Sequence, residues 1–140
     1  MVKLIVGLKG SGKTKTLIDM ANTAGETSNG SVVCIEKGRK LLHEIKYFVR
    51  LFDVDEYNIN TGNSLYGFVC GIYASNHDIT DIFIDGTLKI FNGDVPLFAQ
   101  FVDEIDRFLA TPNNVDVVLT ASIKYEDLPE GLKKYVIEHQ

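Results

Sequence analysis

The run of residues 7–14 limits the folds open to this chain more than any other stretch, because its glycines, lysine and threonine fit the pattern G-x-x-x-x-G-K-[ST]. The short apolar run just before it, residues 3–6, is typical of a buried strand. From Lys13 onward, apolar residues recur at helical spacing, at Leu17, Met20, Ala21 and Ala24. We therefore predict a strand, a glycine-rich loop and a helix in that order, with a chance glycine turn as the alternative.

A loop of this kind is suited to binding a polyphosphate. Its glycines tolerate backbone angles that other residues avoid, and they leave no side chain in the way of a ligand. Successive N–H groups at the start of the helix would then surround the phosphates, aided by the helix dipole. The residues expected to contact a nucleotide here are Gly7, Gly10, Ser11, Gly12, Lys13, Thr14 and Lys15. Among them, Lys13 would reach the β- and γ-phosphate oxygens, and the Thr14 hydroxyl would bind Mg²⁺.

With this motif the chain resembles the P-loop NTPase superfamily, and the resemblance implies a second, acidic metal partner after a buried strand. Residues 81–85 form such a segment, because the apolar residues 82–84 are followed directly by Asp85. The segment is similar to a Walker B strand, in which Asp85 would hold Mg²⁺ through water. The alternative for Asp85 is a surface carboxylate at a strand end.

Within the superfamily, the chain resembles the RecA-like and AAA-like branch and short stand-alone bacterial P-loop proteins. That branch places an extra strand between the P-loop strand and the Walker B strand, and residues 117–122 are similar to its sensor strand. Thr120 would then sense the γ-phosphate, unless it is an ordinary polar strand end. The branch also carries a glutamate next to the Walker B aspartate, which polarises the attacking water, but this chain has Gly86 there.

Glu36 and Arg39, at and just beyond the end of the second predicted strand, are candidates for catalysis together with Lys13. Glu36 ends that strand, and a glutamate at this place is the general base for the substrate hydroxyl in nucleoside kinases of the superfamily. A solvated strand-end charge is the alternative. Arg39 follows in the loop at the carboxyl edge of the sheet and would touch phosphate, either in this chain or in a neighbouring subunit.

Composition narrows the choice of partners. The 140 residues, 45% of them hydrophobic, suit a single nucleotide-binding domain over residues 1–140. A net charge of −5 argues against a nucleic-acid partner.

The first residues already belong to the predicted strand and no apolar run is long enough to span a bilayer, so we expect a cytoplasmic protein without membrane insertion. Cys34 and Cys70 lie in apolar runs without metal-ligand spacing and are expected to be buried thiols.

The rest of the chain alternates between predicted strands and helices. Strands are predicted at residues 31–35, 81–85 and 115–120, with a weak candidate at 57–60. Helices are predicted over residues 40–52, from a cap at Asn63 or Ser64, from Asp94 to Pro112 with Pro96 in the first turn, and from near Pro129. Gly67 and Gly71 would allow close backbone packing of their helix. We expect an α/β fold of the P-loop NTPase type, a three-layer αβα arrangement with a mostly parallel sheet of about five strands.

The function expected from these features is binding of a Mg²⁺–nucleoside triphosphate, with ATP preferred over GTP, and slow or partner-dependent hydrolysis. A homo-oligomer or a protein partner would complete the site. One alternative is a small-molecule or nucleoside kinase that uses Glu36 as its base. Another is a nucleotide-gated interaction protein that binds without turnover.

Overall fold

The computed structural model of the chain describes residues 1–111 and 114–139. The strands are β1 (Val2–Gly7), β2 (Ser31–Glu36), β3 (Val49–Asp53), β4 (Ile79–Ile84), β5 (Asp116–Ser122) and β6 (Val136–His139). The helices are α1 (Lys13–Thr27), α2 (Gly62–Ser75), α3 (Thr87–Ile90) and α4 (Val95–Leu109). Short 3₁₀ helices span Val54–Tyr57, Tyr125–Asp127 and Glu130–Tyr135.

The strands form one parallel sheet in the order β3-β2-β4-β5-β1-β6. Strand β5 therefore lies between β1 and β4, which is the inserted strand that the resemblance to the RecA-like and AAA-like branch implies. Because every strand pairing is parallel, the loops that follow β1, β2, β4 and β5 meet at one edge of the sheet. This edge carries the residues that the motifs single out.

Helices cover both faces of the sheet, as predicted for a three-layer α/β fold. On one face, α1 buries Leu17 and Ala21 against Cys34 of β2 and Phe83 of β4. On the other face, α2 and α4 pack over side chains that alternate with these along the strands, such as Ile84. The near-continuous apolar strands follow from this double coverage, since both faces of each central strand are buried.

The helix predicted over residues 40–52 is wrong. Residues 40–48 form turns, and β3 begins at Val49 and pairs with β2. Val49 and Leu51 pack into one core while Phe52 packs into the other, which is the alternation of a strand. The weak strand at residues 57–60 is also absent, because the Asp53 side chain accepts a hydrogen bond from the Asp55 N–H and begins a 3₁₀ helix.

The predicted helix near Pro129 is a 3₁₀ helix over Glu130–Tyr135, followed by β6, which pairs with the outer side of β1. The described residues therefore form six strands rather than about five. Within the same residues, no helix is long and apolar enough to cross a membrane.

Of the two predicted helix caps, the one at Asp94 is confirmed and the one at Asn63 or Ser64 is wrong. Asp94 caps α4 as predicted, accepting a hydrogen bond from the Leu97 N–H, whereas the predicted end at Pro112 lies outside the described residues. Helix α2 is capped by Thr61, not by Asn63 or Ser64, and Ser64 supplies the second half of a capping box.

The predicted close packing at Gly67 and Gly71 is wrong, since a Cβ atom at either position would meet no described atom within 4 Å. Cys34 is buried, as predicted, but Cys70 is only half-buried. Both thiols are free.

Candidate functional site

A cleft of about 680 Å³ opens at the carboxyl edge of the sheet. Its walls come from the loop between β1 and α1, the end of β2, the β4–α3 junction and the end of β5. Residues that line it include Gly10, Gly12, Lys13, Thr14, Lys15, Glu36, Asp85 and Thr120. Most of the residues predicted to act on a nucleotide therefore face one cavity of a size typical for small-molecule sites.

The loop between β1 and α1 has the backbone shape that its glycines allow. Gly10 has φ +85° and Gly12 has φ +93°, both in the left-handed region that favours glycine. Gly12 is the N-cap of α1, and no side chain within the described residues caps this helix. The first N–H groups of α1 thus stay available for an anionic ligand. The Ser11 hydroxyl in the same loop is buried, with no hydrogen-bond partner in the described part of the chain.

Lys13 lies folded over this loop and is only 7% exposed. Its Nζ donates a hydrogen bond of 2.9 Å to the Leu8 carbonyl oxygen. Burial lowers the pKa of Lys13, and the nearby Asp85 carboxylate opposes that shift. A phosphate oxygen that replaced the carbonyl would give the ammonium a charged acceptor, which makes a stronger hydrogen bond.

Thr14, Asp85 and Thr120 meet at the base of the cleft from three different elements. The Thr14 hydroxyl lies 3.1 Å from Asp85 Oδ1 and 3.3 Å from Oδ2. The Thr120 hydroxyl donates to Asp85 Oδ1 at 2.8 Å and accepts from the Gly86 N–H at 2.8 Å. Thr120 therefore holds the Asp85 carboxylate in place, a positioning contact that the sequence did not indicate.

The hydroxyl and carboxylate pair of Thr14 and Asp85 fits a Mg²⁺ ion that is shared with a phosphate ligand. Mg²⁺ prefers oxygen ligands and usually keeps several waters, so one or two protein groups suffice when phosphates supply the others. Among residues 1–111 and 114–139, no group of three or more His, Cys, Asp or Glu side chains is placed to hold a metal on its own. The donor set thus suits a metal that takes further oxygen ligands from outside the protein better than it suits an all-protein metal cage.

The backbone at Gly86, the residue after Asp85, has a conformation that favours glycine over glutamate. It has φ +65° and is the N-cap of α3, so a side chain at this position would be strained in the left-handed region. The chain turns sharply here, and this turn brings the Gly86 N–H to Thr120. A glutamate at this position would hold the backbone in a strained conformation, so the turn favours glycine beside Asp85.

Glu36 brings the second carboxylate into the cleft, from the strand next to β4. It is 3% exposed and accepts hydrogen bonds from the Lys40 and Leu41 N–H groups at 3.0 and 3.1 Å. Burial raises the pKa of Glu36, the two N–H bonds oppose this, and Asp53 and Asp85 raise it further. The carboxylate therefore shapes the turn after β2, yet its remaining lone pairs can accept further bonds in the cleft.

Arg39 does not line the cleft. Its guanidinium is 69% exposed and lies 2.7 Å from Glu56, with Asp53 at 4.0 Å. It faces a smaller cavity of about 280 Å³ instead. Lys15 does line the cleft, although its ammonium lies 3.6 Å from Asp19 in the next turn of α1.

Sequence reasoning missed four further lysines on the walls of the cleft. They are Lys9, Lys37, Lys40 and Lys89. Each lies a few residues beyond the carboxyl end of β1, β2 or β4, so their positions in the chain were a usable signal. With Lys13 and Lys15, six lysines face the cavity against the two carboxylates of Glu36 and Asp85.

Comparisons with known proteins give a distant likeness. No protein-family model matches the chain, and no curated protein is detectably similar to it. Among solved structures, the chain is similar to domain III of the replication initiation protein DnaA from Thermotoga maritima, with a TM-score of 0.48 and 15% sequence identity. The match covers 99% of this chain and 53% of the DnaA chain, so this chain spans about half the length of the DnaA chain. A likeness at this level carries no conclusion about a ligand or a function.

Proposed function

We propose that this chain binds a nucleoside triphosphate, ATP in the first place, together with Mg²⁺. One observation carries the proposal: the Thr14 hydroxyl and the Asp85 carboxylate, 71 residues apart in the sequence, lie 3.1 Å apart. They lie beside a glycine loop and a helix that no side chain of the described residues caps. That combination offers backbone N–H groups to phosphate and oxygen ligands to a metal. Lys13, in the same loop, would neutralise the β- and γ-phosphate oxygens.

The charge of the cleft supports an anionic ligand. The whole chain has a net charge of −5, but six lysines and two carboxylates line the cleft. This local excess of positive charge matches a triphosphate, and the lysines would attract the ligand over a Debye length of about 10 Å.

Bound Mg²⁺ would neutralise charge on the β- and γ-phosphates. In this chain, Thr14 would supply a direct oxygen ligand, and Asp85 would hold a metal-bound water. Thr120 would keep the Asp85 carboxylate oriented, because it already donates to Oδ1.

Turnover in the isolated chain would be slow or would depend on a partner. Gly86 stands where a water-orienting glutamate would act, and Arg39 is held by Glu56 outside the cleft. Phosphoryl transfer relies mostly on positioning and charge stabilisation, and an arginine finger is worth roughly 10³ to 10⁵ in rate. A second copy or another protein that brings an arginine to the phosphates would complete the site.

A second candidate function is phosphoryl transfer to an acceptor, with Glu36 as the general base. The observation that favours it is the position of Glu36 in the same cleft as Asp85, on the neighbouring strand. Its raised pKa would help it to take a proton from an acceptor hydroxyl.

The test of nucleotide binding is the Lys13→Ala variant. We expect triphosphate affinity to fall at least about tenfold, because a charge-assisted hydrogen bond to phosphate is lost. Isothermal titration with non-hydrolysable analogues of ATP and GTP measures the affinity. Lys46→Ala is the matched control, since Lys46 is exposed and does not line the cleft.

The same titrations, with and without Mg²⁺, test the metal ligands. In Asp85→Asn we expect the gain in affinity on adding Mg²⁺ to shrink, while the fold, checked by thermal unfolding, is retained.

Equal analogue affinity in the parent, Lys13→Ala and Lys46→Ala would overturn the proposal that this chain binds a nucleoside triphosphate.

A further inference from the structure

The two outer strands of the sheet differ in how well their free edges are protected. The pairing of β6 with β1 shifts register between Leu4 and Ile5, and Glu138 of β6 accepts a hydrogen bond from the Thr16 hydroxyl. In contrast, β3 pairs with β2 without interruption over all five of its residues, and no strand of the described residues lies on its other side. Irregular pairing protects an edge from further strands, so β3 is the edge that is open to another strand.

The backbone of β3 has hydrogen-bonding groups available on this open side. Along a strand, the N–H and C=O groups of successive residues point alternately to the two sides. Apart from its pairing with β2, the backbone of β3 makes one hydrogen bond within the described residues, from the Val49 N–H to the Lys46 carbonyl oxygen at 3.0 Å. The outward groups of residues 50–53 are therefore available to an added strand.

Exposed apolar side chains are concentrated around the same edge. Of the eight large apolar side chains that are exposed among the described residues, four come from the segments directly before and after β3. They are Leu42, Tyr47, Phe48 and Tyr57, and Tyr47 is 96% exposed. Clustered apolar residues on a surface mark an interaction site more often than scattered ones do.

A groove of about 970 Å³ lies along β3 and has room for the side chains of an added strand. Its walls include Arg50 and Phe52 of β3 and Gly67 and Gly71 of α2. A Cβ atom at either glycine would meet no described atom within 4 Å, so the space beside α2 is open. Arg50 is the one charged residue among the described residues that line this groove.

The charge along this edge changes sign from one end to the other. Before Leu51 lie Lys46 and Arg50, and no carboxylate of the described residues is within ion-pair distance of either. After Leu51 lie three carboxylates, which are paired with only two cations. These carboxylates are Asp53, Asp55 and Glu56, and the cations are Lys37 and Arg39. A second copy in antiparallel orientation would place the basic end of each chain against the acidic end of the other.

We propose that β3 forms the interface of a homodimer, in which two copies of this strand pair antiparallel about a two-fold axis at Leu51. The same surface then serves both copies, as a two-fold interface requires. Arg50 would lie opposite Phe52 of the second copy, and within one chain its guanidinium already lies 4.9 Å from the centroid of the Phe52 ring. Tyr47 would meet the end of the second copy that carries Tyr57.

This dimer is separate from the proposed nucleotide site. A two-fold axis through the paired edges reverses the strand direction, so the clefts at the carboxyl edges of the two sheets would face opposite ways. The pairing therefore goes beyond the proposed function and does not depend on it.

The experiment measures the association of the full chain without added ligand. We expect sedimentation velocity to show a monomer–dimer equilibrium between micromolar and millimolar protein. Hydrogen exchange at the outward N–H groups of residues 50–53 should slow as the dimer forms, because these groups become hydrogen-bonded. A monomer over the whole concentration range, or a dimer whose β3 N–H groups exchange as fast as those of the monomer, would overturn the proposal.

The first variant is Arg50→Asp, which reverses the charge at the basic end of the edge. We expect the dissociation constant of the dimer to rise about tenfold or more, because a carboxylate would then face the acidic end of the second copy. Arg50 is exposed, so the monomer should keep its fold, which thermal unfolding checks. Lys124→Asp, the same charge reversal at an exposed position beyond β5, is the matched control and should leave the dissociation constant unchanged.

The second variant, Tyr47→Ser, tests the apolar part of the interface. Since Tyr47 is almost fully exposed in the single chain, its loss should leave the monomer's stability unchanged and raise the dissociation constant about tenfold. Leu97→Ser, at an exposed apolar position of α4, is the control. A dissociation constant equal to that of the parent in both Arg50→Asp and Tyr47→Ser would overturn the β3 interface.

Nucleotide binding is measured separately on the same variants. None of the four substituted residues lines the cleft, so the affinity for a non-hydrolysable ATP analogue should match that of the parent. If the analogue does not bind to the parent, the proposed function fails, while the sedimentation and exchange results still decide the dimer.

Discussion

Glu36 is both a structural residue and a residue that lines the cleft. Its carboxylate is almost fully buried and accepts backbone N–H groups of the following turn, which is the behaviour of a structural residue. It also faces the cleft beside Asp85, and burial raises the pKa of Glu36 above its ordinary value of 4.5. A raised pKa in the folded protein means that folding favours the protonated form.

This coupling predicts a pH dependence of stability. The contribution of Glu36 to the free energy of unfolding should be complete below pH 4.5 and should be lost as the pH rises through the raised folded pKa. The stability of the parent relative to Glu36→Gln should therefore fall with pH across that window and then stay level. Urea unfolding between about pH 4 and 8 measures it.

The control for this prediction is Glu26→Gln, the same change at an exposed position of α1. It reports the background effect of removing a carboxyl group from the surface. A constant or rising difference between the parent and Glu36→Gln across the window would show that burial does not control the titration of this group.

At the scale of elements, the helices differ in how they begin. Helices α2 and α4 start with side-chain caps, at Thr61 and Asp94. Helix α1 instead starts at Gly12, without a side-chain cap from any described residue. Side-chain caps stabilise helices by satisfying N–H groups, so the exposed N–H groups of α1 remain for a ligand at some loss of stability in the empty protein.

Helix α4 offers a direct test of the capping contribution. Asp94→Ala should lower the free energy of unfolding by about 1 kcal/mol, because the Leu97 N–H loses its acceptor. Analogue affinity should not change, since Asp94 does not line the cleft. Asp103→Ala, at an exposed position inside the same helix, is the matched control and should change stability by less than about 0.5 kcal/mol. Equal losses in the two variants would contradict the capping role.

In the molecule as a whole, the hydrophobic cores and the polar cleft lie at different parts of the parallel sheet. Its two faces are covered by helices and form the cores, while its carboxyl edge collects the charged and polar residues of four loops. The net negative charge therefore belongs to the rest of the surface, and the cleft is locally positive. Such a distribution favours binding of a small anion.

The open edge leads to a prediction about turnover. A monomer should hydrolyse ATP at well under about 1 s⁻¹, the low end of typical enzyme turnover, since neither a carboxylate at Gly86 nor the paired Arg39 assists the reaction. Phosphate release is measured on protein that light scattering shows to be monomeric. We expect Arg39→Ala to leave this slow rate unchanged, because Arg39 lies outside the cleft. Turnover by the monomer faster than about 1 s⁻¹ would contradict the slow site.

The sequence by itself determined the features whose causes are local. The glycine loop, the helix after it and the cap at Asp94 depend on residues within a few positions of one another, so a pattern could reveal them. The strand before Asp85 was also predictable, because a short apolar run that ends in a carboxylate differs from its surroundings. The alternation of strands and helices along the sequence was enough to predict the three-layer α/β fold.

The tertiary structure decided what depends on distant neighbours. Residues 49–53 have an apolar pattern compatible with a helix, and pairing with β2 makes them a strand. The contact of Thr120 with Asp85 and the ion pair of Arg39 with Glu56 each join segments far apart in the chain. A side chain's partner across the sheet follows from strand order and register, which no local pattern encodes.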